Sequence, residues 1–157
     1  MLFRSFSDEQ RATFVRLKAA LSSIASLSVP RYDRSFIIQT DASDYAVGAC
    51  LAQLDDNGSE RPIAYASAKL TDVQRRWSVI EKESYAVIFA LQKFDHIVFF
   101  SKINLFVDHN PLIHIVNGNP RSAKLTRWAL FLQNYDIDIH YRAGPLNKNA
   151  DCLSRLI

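Results

Sequence analysis

Four carboxylates stand where the chain's hydrophobic pattern makes a charge costly. "FIIQTDASD" (36–44) reads as a greasy strand that ends in Asp41, and a charge beside a core needs a partner or a cation. Glu83 falls within the stripe Ile80, Val87, Ala90, Leu91 and Phe94. At helical spacing it faces the core, while Glu81 points to solvent. Asp108 closes the alternating segment "INLFVD", and Asp151 lies in the first turn of a final helix, where the macrodipole favours negative charge. Each has a structural reading of its own: turn or helix-entry chemistry for the three aspartates, a salt-bridged or hydrogen-bonded buried carboxyl for Glu83. Gathered in one cleft the four would repel, and hard divalent cations bound by oxygen relieve that repulsion. Two such ions about 4 Å apart activate water and stabilise the leaving oxygen of a phosphodiester. Phosphodiester hydrolysis is the chemistry this set suits.

The surrounding pattern supplies elements to position them. Ser7 and Gln10 form a capping box, and Phe14, Leu17, Leu21 and Ile24 follow at helical spacing, which predicts a helix over about 8–25. Pro30 ends it, and "SLSVPRYDRS" is a connector. Strands are expected at 35–41, 46–54 and 61–68, the last two joined through Asn57-Gly58, a pair that tolerates positive φ. A long helix over 72–95 carries Glu83, a strand over 103–108 carries Asp108, and Asn110-Pro111 opens a short helix. A helix over 121–135, a half-exposed strand over 136–142 and the terminal "ADCLSRLI" helix complete the order. The result is one mixed α/β domain: an antiparallel three-strand meander plus two further strands, flanked by helices.

The bulk properties agree. The chain has 157 residues, 48% of them hydrophobic and 22% charged, enough for one sizeable core. No apolar run approaches a membrane span, and the first residues lack the pattern of a secretory signal. Cys50 and Cys152 form no paired motif, so neither a disulfide framework nor a zinc site is expected, and a reducing, intracellular setting fits. The net charge of +3 permits a nucleic-acid partner without requiring one. Arg75 and Arg76 open the Glu83 helix, and Arg121, Lys124 and Arg127 recur at threes along another. Both are either solvated faces or contacts to substrate phosphates. The four histidines are not expected as ligands, because Mg²⁺ prefers oxygen donors.

Six segments, in order, resemble the RNase H domain of Gypsy-type LTR retrotransposon reverse transcriptases: "TDASDYAVGACLAQ", "RPIAYASAKL", "SVIEKESYAV", "VDHNPL", "RWALFLQNYDIDIHYRAG" and "NADCLSR". The resemblance covers about residues 33–156. It implies an RNase H-like fold and places the family's catalytic, metal-binding acids on Asp41, Glu83, Asp108 and Asp151. Of the two glutamates in "EKES", Ala90-Leu91 selects Glu83, as the helical stripe does. The implied activity is metal-dependent endonucleolytic hydrolysis of the RNA strand of RNA/DNA hybrids during reverse transcription. Its implied cofactors are two Mg²⁺ or Mn²⁺ ions, with Asp41 bridging them. The implied partners are the hybrid and a polymerase region, of which residues 1–30 resemble the tail, leaving 31–157 as the RNase H-like domain. The setting implied is cytoplasmic, virus-like particles included, and away from membranes.

The chain departs from the family at Ser84-Tyr85, where Cys-Leu or Ala-Leu is commoner, and at "ADCLSR" in place of "ADALSR". Neither change removes a carboxylate. The turn "AGPLNKNAD" has no histidine, as in this retroelement family, which gives Asn147 and Asn149 as candidate substitutes for the histidine of cellular enzymes. No polymerase-type aspartate pair is present, so no DNA synthesis is expected. Two other readings remain at this point: a catalytically inactive binding or scaffolding module, and an integrase or transposase, whose third acid comes from a late helix.

Overall fold

In the computed structural model, residues 11–16, 27–107, 123–142 and 148–155 are described. Residues 11–16 are helical, within the span predicted for the first helix; the rest of that helix, and the short helix expected after Asn110-Pro111, lie outside the described residues. Five strands follow: β1 (Phe36–Ala42), β2 (Ala46–Leu54), β3 (Glu60–Lys69), β4 (Lys102–Val107) and β5 (Asp136–Tyr141). The helices are α1 (Asp72–Arg75), α2 (Val79–Val98), α3 (Ala123–Leu132) and α4 (Lys148–Arg155).

The strands form one sheet in the order β3-β2-β1-β4-β5. β1 pairs antiparallel with β2 and parallel with β4, so it is the seam between a meander and a parallel half. Central position explains its composition. A strand buried on both faces reads as a continuous apolar run, and Phe36, Ile37 and Ile38 are all buried. Phe36 and Ile38 meet Val87, Leu91 and Phe94 of α2, whereas Ile37 packs with Cys50, Ala52 and Phe106 on the opposite face. Among these, burial pushes the Cys50 thiol up to about 12.

The long helix predicted over 72–95 is two helices, and the correction has a local cause. Thr71 and Gln74 form one capping box, and Ser78 and Glu81 form a second. Each satisfies orphan amides at its own helix start, so the chain stops at Arg76 and restarts at Val79. Ile80, assigned to the buried stripe, is 49% exposed because it falls in the first turn of the restarted helix. Glu81 is not simply solvated: it caps α2 and pairs with Lys124 of α3 at 2.7 Å. Trp77 packs edge-on against Tyr85 and Trp128 beside that pair, with Lys124 Nζ 3.7 Å from the centroid of the Trp77 ring. This cluster fixes α3 against α2.

The β2–β3 connection is a loop from Asp55 to Ser59 in which Gly58 alone has positive φ, 76°. Asp55 Oδ1 accepts from the amides of Asn57 and Ser59. Upstream of β1, the buried Gln53 amide holds the connector on both sides: its Oε1 accepts from Arg31 N at 2.9 Å and its Nε2 donates to Arg31 O at 2.6 Å. No described helix is long and apolar enough to cross a membrane.

Candidate functional site

Asp41 sits one residue before the end of β1 and is 7% exposed. The pleat turns it to the face of Ile37 and Gln39, away from α2, and its antiparallel partner there is Gly48. α4 rests on that glycine. A Cβ built on Gly48 would lie 2.5 Å from Ala150 O and 2.7 Å from Ser154 N, so only a residue without a side chain lets the helix approach. Ser154 is 1% exposed, and its hydroxyl donates to Asp41 Oδ2. Asp151, one turn earlier in α4, is half-buried.

Glu83 is 5% exposed on α2, which packs across β1 and β2. Its neighbour Lys82 is also buried, and Lys82 Nζ donates to Asp44 Oδ1 at 2.6 Å. That hydrogen bond and the ammonium charge hold the Asp44 carboxyl below the usual carboxylate range. A cleft of about 410 Å³ opens just past the end of β1, lined by residues 42–45, by Val79 and Lys82 of α2, and by Ser154 of α4. Asp41 precedes this lining, Glu83 follows Lys82, and Asp151 is a turn from Ser154.

The structure thus brings the elements bearing Asp41, Glu83 and Asp151 to one end of the sheet. Asp108, Arg121 and Asn147 lie outside the described residues, and Asn149 is in the first turn of α4. Arg75 stacks over the Tyr45 ring at 4.7 Å and lines a second hollow with Asp44, Tyr45, Asp72 and Arg76, next to the cleft. Lys124 is occupied by Glu81 and Trp77, and Arg127 donates to Ala123 O at 3.2 Å on an exposed helix face. The donors Asp41, Glu83 and Asp151 are all carboxylate oxygens, which is the chemistry a hard divalent cation takes. Among the described residues, no three His, Cys, Asp or Glu side chains come together closely enough to hold a metal.

Sequence reasoning missed Lys82, Ser43, Gly48 and Ser154. Lys82 was hidden by its neighbours, since the residue beside an inward-facing Glu83 on a helix is expected to turn outward. A serine three residues after Asp151 shares its helix face, and that spacing is the one local signal for Ser154.

The family model for the RNase H-like domain found in reverse transcriptase matches residues 31–135. The retrovirus-related Pol polyprotein from transposon opus of Drosophila melanogaster is 37% identical over 145 residues, covering 92% of this chain and 14% of that polyprotein. The transposon Tf2-3 polyprotein of Schizosaccharomyces pombe is 38% identical over 130 residues, covering 80% of this chain and 10% of its own length. Among solved structures, the foamy viral protease-reverse transcriptase in complex with RNA/DNA hybrid superposes with a TM-score of 0.59 at 17% identity, over 89% of this chain and 19% of that one. RNase H1 from the halophilic archaeon Halobacterium salinarum superposes with a TM-score of 0.54 at 17% identity, over 76% of this chain and 92% of its own. At these identities the two structures speak for the fold, which is RNase H-like. The relatives and the matched model speak for descent: the chain belongs to the RNase H-like domain family of reverse transcriptases carried by LTR retrotransposon polyproteins.

Proposed function

We propose that this chain is a ribonuclease H that hydrolyses the RNA strand of RNA/DNA hybrids, joined to a polymerase region of which residues 1–30 are the tail. The observation that carries the reading is the burial of Asp41 at the end of the central strand, where α4 and α2 bring Asp151 and Glu83 to the same end of the sheet. A buried carboxylate carries a desolvation cost that a bound cation would offset alongside the Ser154 hydrogen bond. Asp41, Glu83 and Asp151, with Asp108, would hold two Mg²⁺ or Mn²⁺ ions, which when bound supply the electrophilic assistance that phosphodiester hydrolysis needs. The chain's own contribution is to fix these oxygens on rigid elements and to grip the substrate backbone. Arg75 and Arg76 flank the cleft for that purpose, with Arg121, Lys124, Arg127, Asn147 and Asn149 as further contacts; Lys124 takes part by leaving Glu81. Discrimination of the hybrid rests on groove shape and the 2′-hydroxyls of its RNA strand. The family's polyprotein setting, and the hybrid bound by the foamy viral protease-reverse transcriptase of like fold, support this choice of partners.

The test is cleavage of an end-labelled hybrid in Mg²⁺, with duplex RNA and duplex DNA as controls. The wild type is expected to cut the hybrid alone, and Asp41→Asn and Asp108→Asn to lose nearly all of that activity. Equal cleavage by wild type and both variants would refute the assignment. Tight hybrid binding by a wild type that never cuts would instead make the chain a binding module.

A further inference from the structure

Two serines tie the C-terminal helix to the end of β1, each through its own hydrogen bond. The amides of Tyr45 and Ala46 donate to Ser43 Oγ at 3.1 and 3.0 Å. Ser43 Oγ donates to the main-chain carbonyl of Ser154 at 2.7 Å. The Ser154 hydroxyl then donates to Asp41 Oδ2. The same hydroxyl also lies 3.0 Å from Asp151 O, but an ionised carboxylate is the stronger acceptor of its single proton. The two bonds use different groups of Ser154, its carbonyl and its hydroxyl, and both residues of the second bond, Ser154 and Asp41, are buried.

We propose that Ser154 is a positioning residue for Asp41: its hydroxyl fixes the orientation of the Asp41 carboxylate, and its backbone, anchored by Ser43, sets the helix that carries Asp151. The inference rests on the metal-binding reading above. A carboxylate offers about four lone-pair directions, so one accepted hydrogen bond is compatible with a cation on the others. Partners of this type orient metal-ligating carboxylates, and losing one costs about 10–100-fold in metal affinity. Ser43 and Ser154 thereby have separable duties. Ser43 holds the helix but does not touch the carboxylate, whereas Ser154 does both.

The experiment compares wild type, Ser154→Ala and Ser43→Ala by Mn²⁺ calorimetry, by the rise in melting temperature on adding Mn²⁺, and by hybrid cleavage. Circular dichroism confirms that each variant is folded. Ser154→Ala is expected to weaken Mn²⁺ binding by about tenfold or more and to shift the metal dependence of cleavage accordingly; Ser43→Ala is expected to stay within about threefold of wild type. Wild-type Mn²⁺ affinity in Ser154→Ala, or an equal loss in Ser43→Ala, would overturn the proposal while leaving the metal reading intact. Absence of Mn²⁺ binding and of cleavage in the wild type would overturn both. Should Ser154→Ala unfold, Ser154→Cys keeps the volume with a weaker donor, and an affinity equal to wild type in that variant would overturn the proposal.

Discussion

Replacing Gly48 with alanine tests whether the seat of α4 matters. Gly48 has no need of positive φ, since Gly58 is the one described glycine there, so any effect of a methyl group comes from contact alone. The added Cβ would meet Ala150 O at 2.5 Å, Ser154 N at 2.7 Å and Leu153 Cβ at 2.8 Å. Ordinary contact begins at 3.4 Å, so the worst clash is short by about 0.9 Å. Two of the three atoms are backbone and cannot rotate away, so α4 itself must retreat. Forced overpacking of this kind costs about 1–3 kcal/mol. The functional loss should be larger than the stability loss, because a displacement of about 1 Å at a reacting centre costs on the order of 10²-fold in rate. Urea denaturation and single-turnover hybrid cleavage measure the two quantities on the same preparation. Gly48→Ala that melts and cuts like wild type would refute the close approach of helix and strand, and with it the geometry proposed for Asp41 and Asp151.

Three other outcomes follow from the packing. The Lys124 hydrogen bond, with the Ser78 amide and hydroxyl, holds the Glu81 carboxyl below its ordinary 4.5. Its contribution is therefore complete above that value and lost as the pH falls through the lowered one. Glu81→Gln should cost about 1 kcal/mol at neutral pH and converge on wild type in acid; a constant difference in denaturation free energy across pH would sink this account. Phe100 has φ 62° and is 96% exposed just past the end of α2. Phe100→Asn, which tolerates that conformation, should raise stability by about 0.5–1 kcal/mol, and a lowered melting temperature would contradict it. Gln53→Ala removes both hydrogen bonds to Arg31 and a third, from Nε2 to Arg34 O at 3.2 Å. A loss of about 2–3 kcal/mol is expected, with faster proteolysis near residue 31; an unchanged cleavage pattern would show that the connector is held by other contacts.

The sheet was legible because each strand carries its own signal. β1 is an apolar run, β4 and β5 alternate, and the Asn57-Gly58 pair marks the hairpin loop. Strand starts and ends observed for β1 to β5 fall within a residue or so of those read from the pattern. The inward face of Glu83 was equally plain, since the apolar stripe of α2 surrounds it. The break at Ser78 was not, because continuous helical periodicity outweighed two capping boxes that the chain uses to stop and restart. The relation of Asp41 to Ser154 and of Gly48 to Ala150 could not be read at all. Those contacts join residues more than 100 positions apart, and no local propensity encodes them.

That separation also bears on how the domain assembles. The Ser154–Asp41 hydrogen bond spans 113 residues, and it is the sheet, through β5 paired to β4 beside β1, that brings the start of α4 back to the central strand. α4 rests against β1 and β2, which must already be paired to receive it. Its docking is therefore expected late and its release before that of the sheet, the behaviour of a separate foldon. Amides of α4 should exchange with solvent deuterium well before those of β1 and α2, and an added divalent cation should slow that exchange selectively. The catalytic oxygens proposed here would then be completed, and dismantled, by the motion of one eight-residue helix.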